Sequence, residues 1–372
     1  MKLQVLQNNF SEALNISSRI ASNRAQLPVL ANVLLTAKKN KLQVAATNLE
    51  ISVSISLGAK IEKQGELTVP ARVITDLVSN LSDGPLHLSS EKEQLEISAQ
   101  NFSSKISGMN ASDFPAVPHE VGKGVMKLPA KEFIEALSQV LFAASIDETR
   151  PVLTGVLFIF SGSKLSLIAT DGFRLSEKTI STAASKRLKG SKIILPKSAL
   201  SEMSRLINKD DNIGFSYKSS DNQAAFGIDS TVLASRIIEG EFPDFEKIIP
   251  KESKLNVKVD KEEFLRAVKL ASVFARDAAN VVKLEIGRDS IGVEAESSQS
   301  GSQKAKVDAK VEGSSGKELK IAFNFRFLED FLNIAKGEDI QIELSSSNSP
   351  GVFTDPKDPD FLHLIMPVRT QD

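Results

Sequence analysis

The chain has 372 residues, 41% of them hydrophobic, so it is long enough for two or three domains with ordinary cores. Its 46 basic and 47 acidic residues give a formal net charge of −1, which excludes a generally basic nucleic-acid-binding protein but not a local basic surface. The sequence contains no cysteine, which excludes disulfides, a thiolate nucleophile and cysteine-based metal sites.

The first residues, MKLQVLQNNFSEAL, become polar after six positions and lack the apolar stretch of a secretory signal. No apolar run in the sequence approaches the roughly 20 residues that a membrane helix needs. We therefore expect a cytoplasmic protein that has no contact with a membrane.

An internal repeat organises the chain. Residues 28–47 read PVLANVLLTAKKNKLQVAAT and residues 151–170 read PVLTGVLFIFSGSKLSLIAT, an offset of 123 residues with nine of twenty positions identical. The same offset aligns FSEAL, which begins at Phe10, with FIEAL, which begins at Phe133. A weaker third copy begins with FLRAV at Phe264 and continues with the two-strand pattern VVKLEIGRDSIGVEAES. The sequence therefore predicts three similar units in tandem.

Each unit also contains a strand that runs directly into a second helix. The segments LTVPARVITDLVSNL, IILPKSALSEMSRLI and LKIAFNFRFLEDFLNIA share this pattern. We expect Pro70 and Pro196 at the start of their helices, where a missing N–H costs nothing, and Phe323 takes this place in the third unit. Apolar runs such as LEISVSISL and KLQVAAT predict strands, mostly connected by hairpins.

The three units end on similar segments, which read ASDFPAVP, EGEFPDFEKIIP and FLHLIMPV. Linkers follow the first two, so the predicted domains are residues 1–121, 122–251 and 252–372. Each domain is predicted to hold two helices packed on antiparallel sheet, which is an α+β fold. Three like domains in tandem favour a curved assembly whose ends meet those of another copy head to tail.

The sequence offers little for catalysis. His87, His119 and His363 are not spaced as metal ligands, and neither a glycine-rich phosphate loop nor a G-x-S-x-G elbow occurs. Asp171 in ATDGFR is the best acidic candidate, but the first repeat has Asn48 at the matching place. We expect no catalysis, no cofactor and no metal, and an enzyme that uses Asp171 stays an alternative.

The quoted segments, in this order, closely resemble the bacterial DNA polymerase III β subunit family, the sliding clamps. The resemblance rests on LPVLANVLL, ATDGFRLS, EFPDFEKIIP, AFNFRFLEDFLNIA and the final IMPVR, and it covers the whole chain. It implies three clamp-fold domains per chain and a six-domain ring, formed by a head-to-tail homodimer around double-stranded DNA. Such a clamp tethers a polymerase to its template and so keeps the enzyme at a high effective concentration at the primer end.

The resemblance also implies which molecules the chain contacts. The expected partners are double-stranded DNA without sequence preference, the polymerase III α subunit, the clamp loader and other proteins that carry a clamp-binding motif. DNA contacts are expected from cationic residues on or near the helices that line the ring: Arg24, Arg72, Lys197, Arg205, Arg266 and Lys269. Weak phosphate contacts are enough for a ring that is held topologically, which fits the near-neutral charge.

A peptide pocket between the second and third domains is the other implied site. Its ligand is a short segment resembling Gln-Leu-x-Leu-Phe, which needs an apolar pocket and a few polar groups. The wall from the second domain comprises Leu153, Thr170, Gly172, Phe173, Arg174, Leu175, Pro243, Lys247 and Ile248. The wall from the third domain and the C-terminal segment comprises Asn324, Phe327, Asn348, Pro350, Leu364, Ile365, Met366, Pro367, Val368 and Arg369.

Several positions depart from the family pattern. Phe173 stands where His or Tyr is frequent, Phe327 where Tyr is common, and Lys247 where Arg is common. Thr370 stands where an apolar residue is common. We expect these changes to alter the affinity for peptides and the preference among them. A clamp-fold scaffold that binds partners without encircling DNA stays an alternative, which a single-chain mass in solution would favour.

Overall fold

Residues 1–22, 27–122, 125–185, 188–207, 212–313 and 319–369 are described by the structure, a computed structural model. The chain divides into two units: unit 1 comprises Met1–Ala130 with Glu202–Ile237, and unit 2 comprises Lys131–Ser201 with Ile238–Asp372. None of the helices formed by the described residues is long and apolar enough to cross a membrane.

The first repeat contributes two helices and nine strands to unit 1. In chain order these are β1 (Lys2–Leu6), α1 (Gln7–Ile20), β2 (Asn32–Lys38), β3 (Lys41–Thr47), β4 (Ile51–Gly58), β5 (Lys60–Lys63), β6 (Gly65–Pro70), α2 (Ala71–Ser79), β7 (Pro85–Glu91), β8 (Gln94–Ala99) and β9 (Phe102–Ser107). Helix α1 buries Phe10, Ala13 and Leu14 at helical spacing, and it packs against α2 and the sheet strands β3 and β4.

The second repeat contributes two helices and eight strands. They are β10 (Met126–Pro129), α3 (Ala130–Val140), β11 (Gly155–Ser161), β12 (Lys164–Thr170), β13 (Arg174–Ser181), β14 (Lys192–Pro196), α4 (Lys197–Leu206), β15 (Asn212–Lys218), β16 (Gln223–Ile228) and β17 (Thr231–Arg236). Helices α2 and α4 begin one residue after Pro70 and Pro196, so each proline ends the preceding strand instead of occupying the first helical position. Proline suits this place because the strand needs no further N–H from it.

The third repeat contributes two helices and eight strands to unit 2. They are β18 (Leu255–Asp260), α5 (Lys261–Ala275), β19 (Val281–Ile286), β20 (Ser290–Ser297), β21 (Gly301–Gly313), β22 (Leu319–Asn324), α6 (Phe325–Ile334), β23 (Asp339–Leu344), β24 (Gly351–Asp355) and β25 (Asp358–Ile365). Helix α5 begins after Asp260, whose side chain accepts a hydrogen bond of 2.8 Å from the N–H of Glu263. This is a standard N-cap, and the described chain thus contains the two helices per repeat that the sequence predicts.

Antiparallel sheets carry the fold in both units. Unit 1 has a five-stranded sheet in the order β5-β1-β7-β8-β9 and an eight-stranded sheet in the order β10-β15-β16-β17-β4-β3-β2-β6. Unit 2 has a twelve-stranded sheet in the order β14-β11-β12-β13-β25-β24-β23-β18-β21-β20-β19-β22. Each sheet of eight or more strands therefore includes strands from two successive repeats.

One pairing rule joins successive repeats. The strand β4 of the first repeat pairs with β17, the last strand of the second repeat, from Ile51↔Ser235 to Ile55↔Thr231. The equivalent strand of the second repeat, β13, pairs with β25, the last strand of the third repeat. Neighbouring repeats are thus connected by backbone hydrogen bonds, and both junctions are buried sheet rather than flexible linkers.

A second rule governs the residues that follow the last strand of each repeat. The backbone of Met109 exchanges hydrogen bonds with Thr68 of β6. Likewise, the N–H of Ile238 donates to the carbonyl of Ile194 in β14 at 2.8 Å. In the third repeat, the N–H of Val368 donates to the carbonyl of Ala322 in β22, also at 2.8 Å. The C-terminal segment is therefore the third copy of a segment that closes the edge of a sheet.

A buried aromatic layer holds α6 against β24 and β25. The ring of Phe331 lies 5.8 Å from that of Phe353 and 5.7 Å from that of Phe361. It also stacks on the imidazole of His363 with an interplanar angle of 9°. The Nδ1 atom of His363 lies 2.7 Å from the hydroxyl oxygen of Ser176. Burial, together with the positive charge of Arg174, lowers the pKa of His363 from 6.5 to about 3.

We expect this histidine to make stability depend on pH. In the unfolded chain its pKa returns to 6.5, so between pH 6.5 and pH 3 the unfolded state binds more protons. The stabilisation is complete above this window and is lost as the pH falls through it, by up to about 1.4 kcal/mol per pH unit. Urea unfolding between pH 7 and pH 4.5 should show a shallower loss for His363→Phe than for the wild type.

The matched control is His87→Phe, because His87 lies exposed on β7. This variant should keep the wild-type slope of stability against pH. Equal slopes for His363→Phe and the wild type would show that another group controls the acid sensitivity.

Candidate functional site

Strand pairing brings the two predicted walls of the pocket together. In the register of β13 with β25, Arg174 lies opposite Ile365 and Leu175 lies opposite Leu364. The N–H of Met366 then donates to the carbonyl of Phe173 at 2.8 Å. The start of β13 and the end of β25 therefore form one continuous surface within unit 2.

The turn between β12 and β13 is rigidly hydrogen-bonded. The hydroxyl of Thr170 donates to the carbonyl of Arg174 at 2.6 Å and accepts from the N–H of Gly172 at 3.0 Å. Gly172 has φ +93°, a left-handed conformation that favours glycine. Oδ1 of Asp171 accepts from the N–H groups of Phe173 and Arg174 at 2.9 and 3.0 Å. Asp171 thus shapes the turn, and the turn leaves the side chain of Phe173 61% exposed.

Arg174 makes several polar contacts in the site. Its Nε donates to Oδ2 of Asp171 at 3.0 Å and one terminal nitrogen donates to the carbonyl of Phe142 at 2.7 Å. The other terminal nitrogen bonds to the carboxylate of Asp330 on α6. The guanidinium also lies 4.4 Å from the ring centre of Phe327, within cation–π range. These contacts fix the turn of the second repeat to helix α6 of the third.

An apolar cluster forms the floor beside this turn. Leu175 and Leu364 are fully buried in it, and Met366 packs against it while remaining partly exposed. The cluster also includes Val152 and Phe242, both partly buried. Methionine suits such a place because its flexible thioether adapts to different ligands. The floor can therefore accept an apolar side chain from outside.

Around the floor the predicted wall residues divide by exposure. Leu153, Ile365 and Thr170 are buried, so they support the surface rather than offer it to a ligand. The short 3₁₀ helix Phe245–Ile248 and the nearby Pro243 form an exposed rim. Its predicted members are Pro243, Lys247 and Ile248. The ammonium of Lys247 lies 2.7 Å from the carboxylate of Asp244, and this hydrogen bond raises the pKa of Lys247.

The predicted third-repeat wall is less uniform. Phe327, Met366 and Pro367 are half-buried, whereas the side chain of Asn324 accepts from the N–H of Arg326 at 3.0 Å and so caps α6. Asn348 and Arg369 are exposed and lie with Val368 along a groove of about 700 Å³ on the third repeat. Pro350 is half-buried directly before β24.

Sequence reasoning missed several residues that build this site. Phe142 and Asp330 hold Arg174, while Val152 and Phe242 extend the apolar floor. Phe242 could have been predicted, because it lies in the closing segment EGEFPDFEKIIP. Asp330 gave no signal, because its partner is 156 residues away in the chain.

The predicted DNA-facing residues have different surroundings. Arg266 and Lys269 are exposed on the same face of α5, where they border a shallow depression of about 310 Å³. Arg72 is exposed on α2 and lies 3.8 Å from Asp76. Arg205 is exposed on α4 and pairs with Glu202. These four cations are accessible to a phosphate backbone, and Arg24 and Thr370 lie outside the described residues.

Lys197 is the least accessible of the described candidates. Its ammonium is half-buried and donates to the carbonyl of Ala144 at 3.2 Å. Burial lowers the pKa of Lys197, and the nearby positive charge of Arg174 adds to this effect. A role in DNA contact stays a prediction for Lys197. In the structure, its ammonium holds the backbone of Ala144 within unit 2.

The described residues contain no group of three or more His, Cys, Asp or Glu side chains arranged to hold a metal ion. The one acidic candidate for catalysis, Asp171, uses both of its carboxylate oxygens within the turn. What the site offers is therefore a preformed apolar surface with a fixed cation beside it. Such a surface suits the binding of a short peptide.

Known protein families match the chain in three consecutive parts. Models of the DNA polymerase III beta subunit match residues 1–118 as the N-terminal domain, 127–244 as the central domain and 246–369 as the C-terminal domain. The predicted domain boundaries after residues 121 and 251 stay predictions, because the two units of the structure divide the chain along different lines.

Relatives match over their whole length. The beta sliding clamp of Synechocystis sp. is 32% identical over 391 residues, which cover 99% of each chain. The beta sliding clamp of Staphylococcus aureus is 28% identical over 382 residues and 100% of each chain. Among solved structures, the DNA polymerase sliding clamp from Bacillus subtilis superposes with a TM-score of 0.94 at 25% identity, covering 100% of both chains. The resemblance in the sequence is thereby confirmed: the chain belongs to the DNA polymerase III beta subunit family, the non-catalytic bacterial sliding clamps.

Proposed function

We propose that two copies of this chain close head to tail into a ring around duplex DNA and tether polymerases through the pocket on unit 2. The observation that carries the proposal is the pairing rule between repeats. It joins β4 to β17 and β13 to β25 within one chain. By the same rule, β21 of the third repeat would pair with β9 of the first repeat in a second copy, and two such junctions close the ring.

The two strands that the rule leaves over are open to a partner. Strand β9 ends the five-stranded sheet, and Gly301–Asp308 of β21 pair only with β20 among the described strands. Residues 51–55 of the paired strand β4 are all buried, whereas residues 301–305 of β21 include no buried residue. Unpaired edges of this kind bind other strands, so an incoming β9 would satisfy them.

Helix α5, which packs against β21, carries exposed apolar side chains. Helix α5 packs against β21 and exposes Leu270 and Val273, which are 52% and 57% accessible. A single exposed apolar residue needs no explanation, but a pair on a helix that packs against a strand with an unpaired edge is typical of an interface. Burial of this pair against a second copy would add apolar stabilisation to the backbone pairing.

DNA contacts need only be weak in such a ring. The chain has a net charge of −1, and its accessible cations Arg72, Arg205, Arg266 and Lys269 are interspersed with acidic neighbours. A tight basic groove would slow sliding, whereas a closed ring stays on DNA by topology. We place this work in the cytoplasm, where the chromosome and the expected partners, the polymerase III α subunit and the clamp loader, are found.

The first expected outcome concerns the ring. In light scattering, the wild-type protein should have the mass of two chains, and Val273→Glu should shift this mass to one chain, because a carboxylate would be buried in the interface. The control Ile146→Glu changes a residue that is 90% exposed away from α5 and should stay dimeric. A wild-type protein that remains a single chain at high concentration would favour a scaffold that does not encircle DNA.

The second expected outcome concerns the pocket. We expect Met366→Ala to weaken binding of the synthetic peptide Gln-Leu-Asp-Leu-Phe about tenfold, which corresponds to about 1.4 kcal/mol, because the apolar floor loses contact area. Calorimetry measures the affinity and thermal melting measures the stability. Met109→Ala removes a comparable, partly buried methionine from the closing segment of the first repeat and should leave peptide affinity unchanged. Similar losses of affinity in both variants would contradict the pocket assignment.

A further inference from the structure

One position in the sheets is structurally equivalent in all three repeats. It is defined by one residue on the first hairpin strand and its two partners on the neighbouring strands. In the register of the sheets, the three sets are Leu34 with Ala45 and Thr68, Leu157 with Ile168 and Ile194, and Lys283 with Glu294 and Ala322. The third member of each set also lies on the strand that the closing segment of its repeat contacts through backbone hydrogen bonds.

The first two repeats fill this position with their own chain. In the first repeat, Phe114 and Val117 of the closing segment pack on Ala45 and Leu34. In the second repeat, Phe242 and Phe245 belong to the apolar cluster of Leu157, Ile168 and Ile194. In both cases the closing segment crosses this face of the sheet and covers it.

In the third repeat, no closing segment covers this position among the described residues, which end at Arg369, and the chemistry of the position is different. The groove of about 700 Å³ described above lies here, bordered by β19, β20, β22 and the C-terminal segment; we call it the outer groove. Where the second repeat has Leu157, Ile159 and Ile168, the outer groove has Lys283, Glu285 and Glu294. It is therefore suited to a charged, extended occupant rather than an apolar one.

Positive charge predominates in the outer groove. Three cations line it, namely Lys283, Lys320 and Arg369, against the two glutamates Glu285 and Glu294. Lys304 lies between the two glutamates: its ammonium bonds to Glu294 and lies 3.1 Å from Glu285. Lys320 lies 3.0 Å from Glu285, and this hydrogen bond raises the pKa of Lys320. Counting Lys304, four cations surround the two glutamates, so the net charge around the outer groove is positive.

We propose that the outer groove binds an acidic segment next to the apolar motif of those partners that occupy the pocket. The inference rests on the proposed function of the pocket and adds a specificity-determining surface to it. Continuity supports it, because Asn348, Val368 and Arg369 border the outer groove and belong to the C-terminal wall of the predicted pocket. The closing segments of the first two repeats supply the precedent for an extended chain at this place.

The test compares two synthetic peptides that share the core Gln-Leu-Asp-Leu-Phe. One peptide carries a flank of four glutamates and the other a flank of four serines. This pair is made twice, once with the flank at the N-terminus and once with the flank at the C-terminus. In one pair we expect the glutamate peptide to bind five- to tenfold more tightly at low salt. The advantage should shrink as ionic strength rises, because exposed charge pairs are screened.

Charge reversal in the outer groove provides the matched variants. Lys283→Glu with Lys320→Glu should abolish the preference for glutamate and leave binding of the serine peptide unchanged. The control is Lys192→Glu, because Lys192 pairs with Ile159 in the second repeat as Lys320 pairs with Glu285 in the third, and it is also exposed. This control should keep the preference.

A proximity measurement tests where the peptide flank lies without relying on charge effects. The chain has no cysteine, so Lys320→Cys and Lys192→Cys each allow a single quencher to be attached. A fluorophore on the flank of the serine peptide should be quenched by the label at position 320 and not by that at 192. If the core peptide binds but the flanks make no difference, only the outer groove proposal falls; if no peptide binds, the pocket proposal falls and this one with it.

Discussion

The antiparallel pairing of β13 with β25 is the constraint on which the site depends. Residues 174–178 of the second repeat lie opposite residues 361–365 of the third, although nearly 190 positions separate them in the chain. A slip of one residue in either strand would turn its leucine, Leu175 or Leu364, from the apolar cluster to the opposite face of the sheet. Because the register is fixed by burial on both faces, the carboxyl-terminal residues that follow β25 always meet the turn at Phe173. The pocket is thus a consequence of how two repeats are joined.

Arg174 stabilises this junction by contacting groups of both repeats. A guanidinium with only 12% of its side chain exposed is costly to desolvate unless its charge and its N–H groups are satisfied. Here two carboxylates, a carbonyl and the face of Phe327 satisfy it. Its charge also acts on its neighbours, since it lowers the pKa of both His363 and Lys197. One side chain therefore keeps the β12–β13 turn, helix α6 and the buried histidine in a single arrangement.

The sequence predicted those features that repeat and failed on those that join distant residues. The offset of 123 residues is visible in the structure, where Leu34 and Leu157 have equivalent partners on both sides. Two helices per repeat and antiparallel strands followed from periodicity and turn residues. The contact of Arg174 with Asp330 could not be inferred, because no local pattern connects them. The starts of α2 and α4 were predicted one residue too early, because Pro70 and Pro196 end the preceding strands.

The three repeats provide an internal comparison that a single domain lacks. They share a backbone, so a difference in chemistry at one position reflects what surrounds that position in each copy. Lys283, Glu285 and Glu294 replace Leu157, Ile159 and Ile168 at sites where the strand pairing is unchanged. A covered sheet face needs apolar residues, whereas an uncovered one needs polar residues to remain in water. Exposure alone would be met by any polar side chains; a lysine-rich set that has a positive net charge and borders the pocket points instead to recognition.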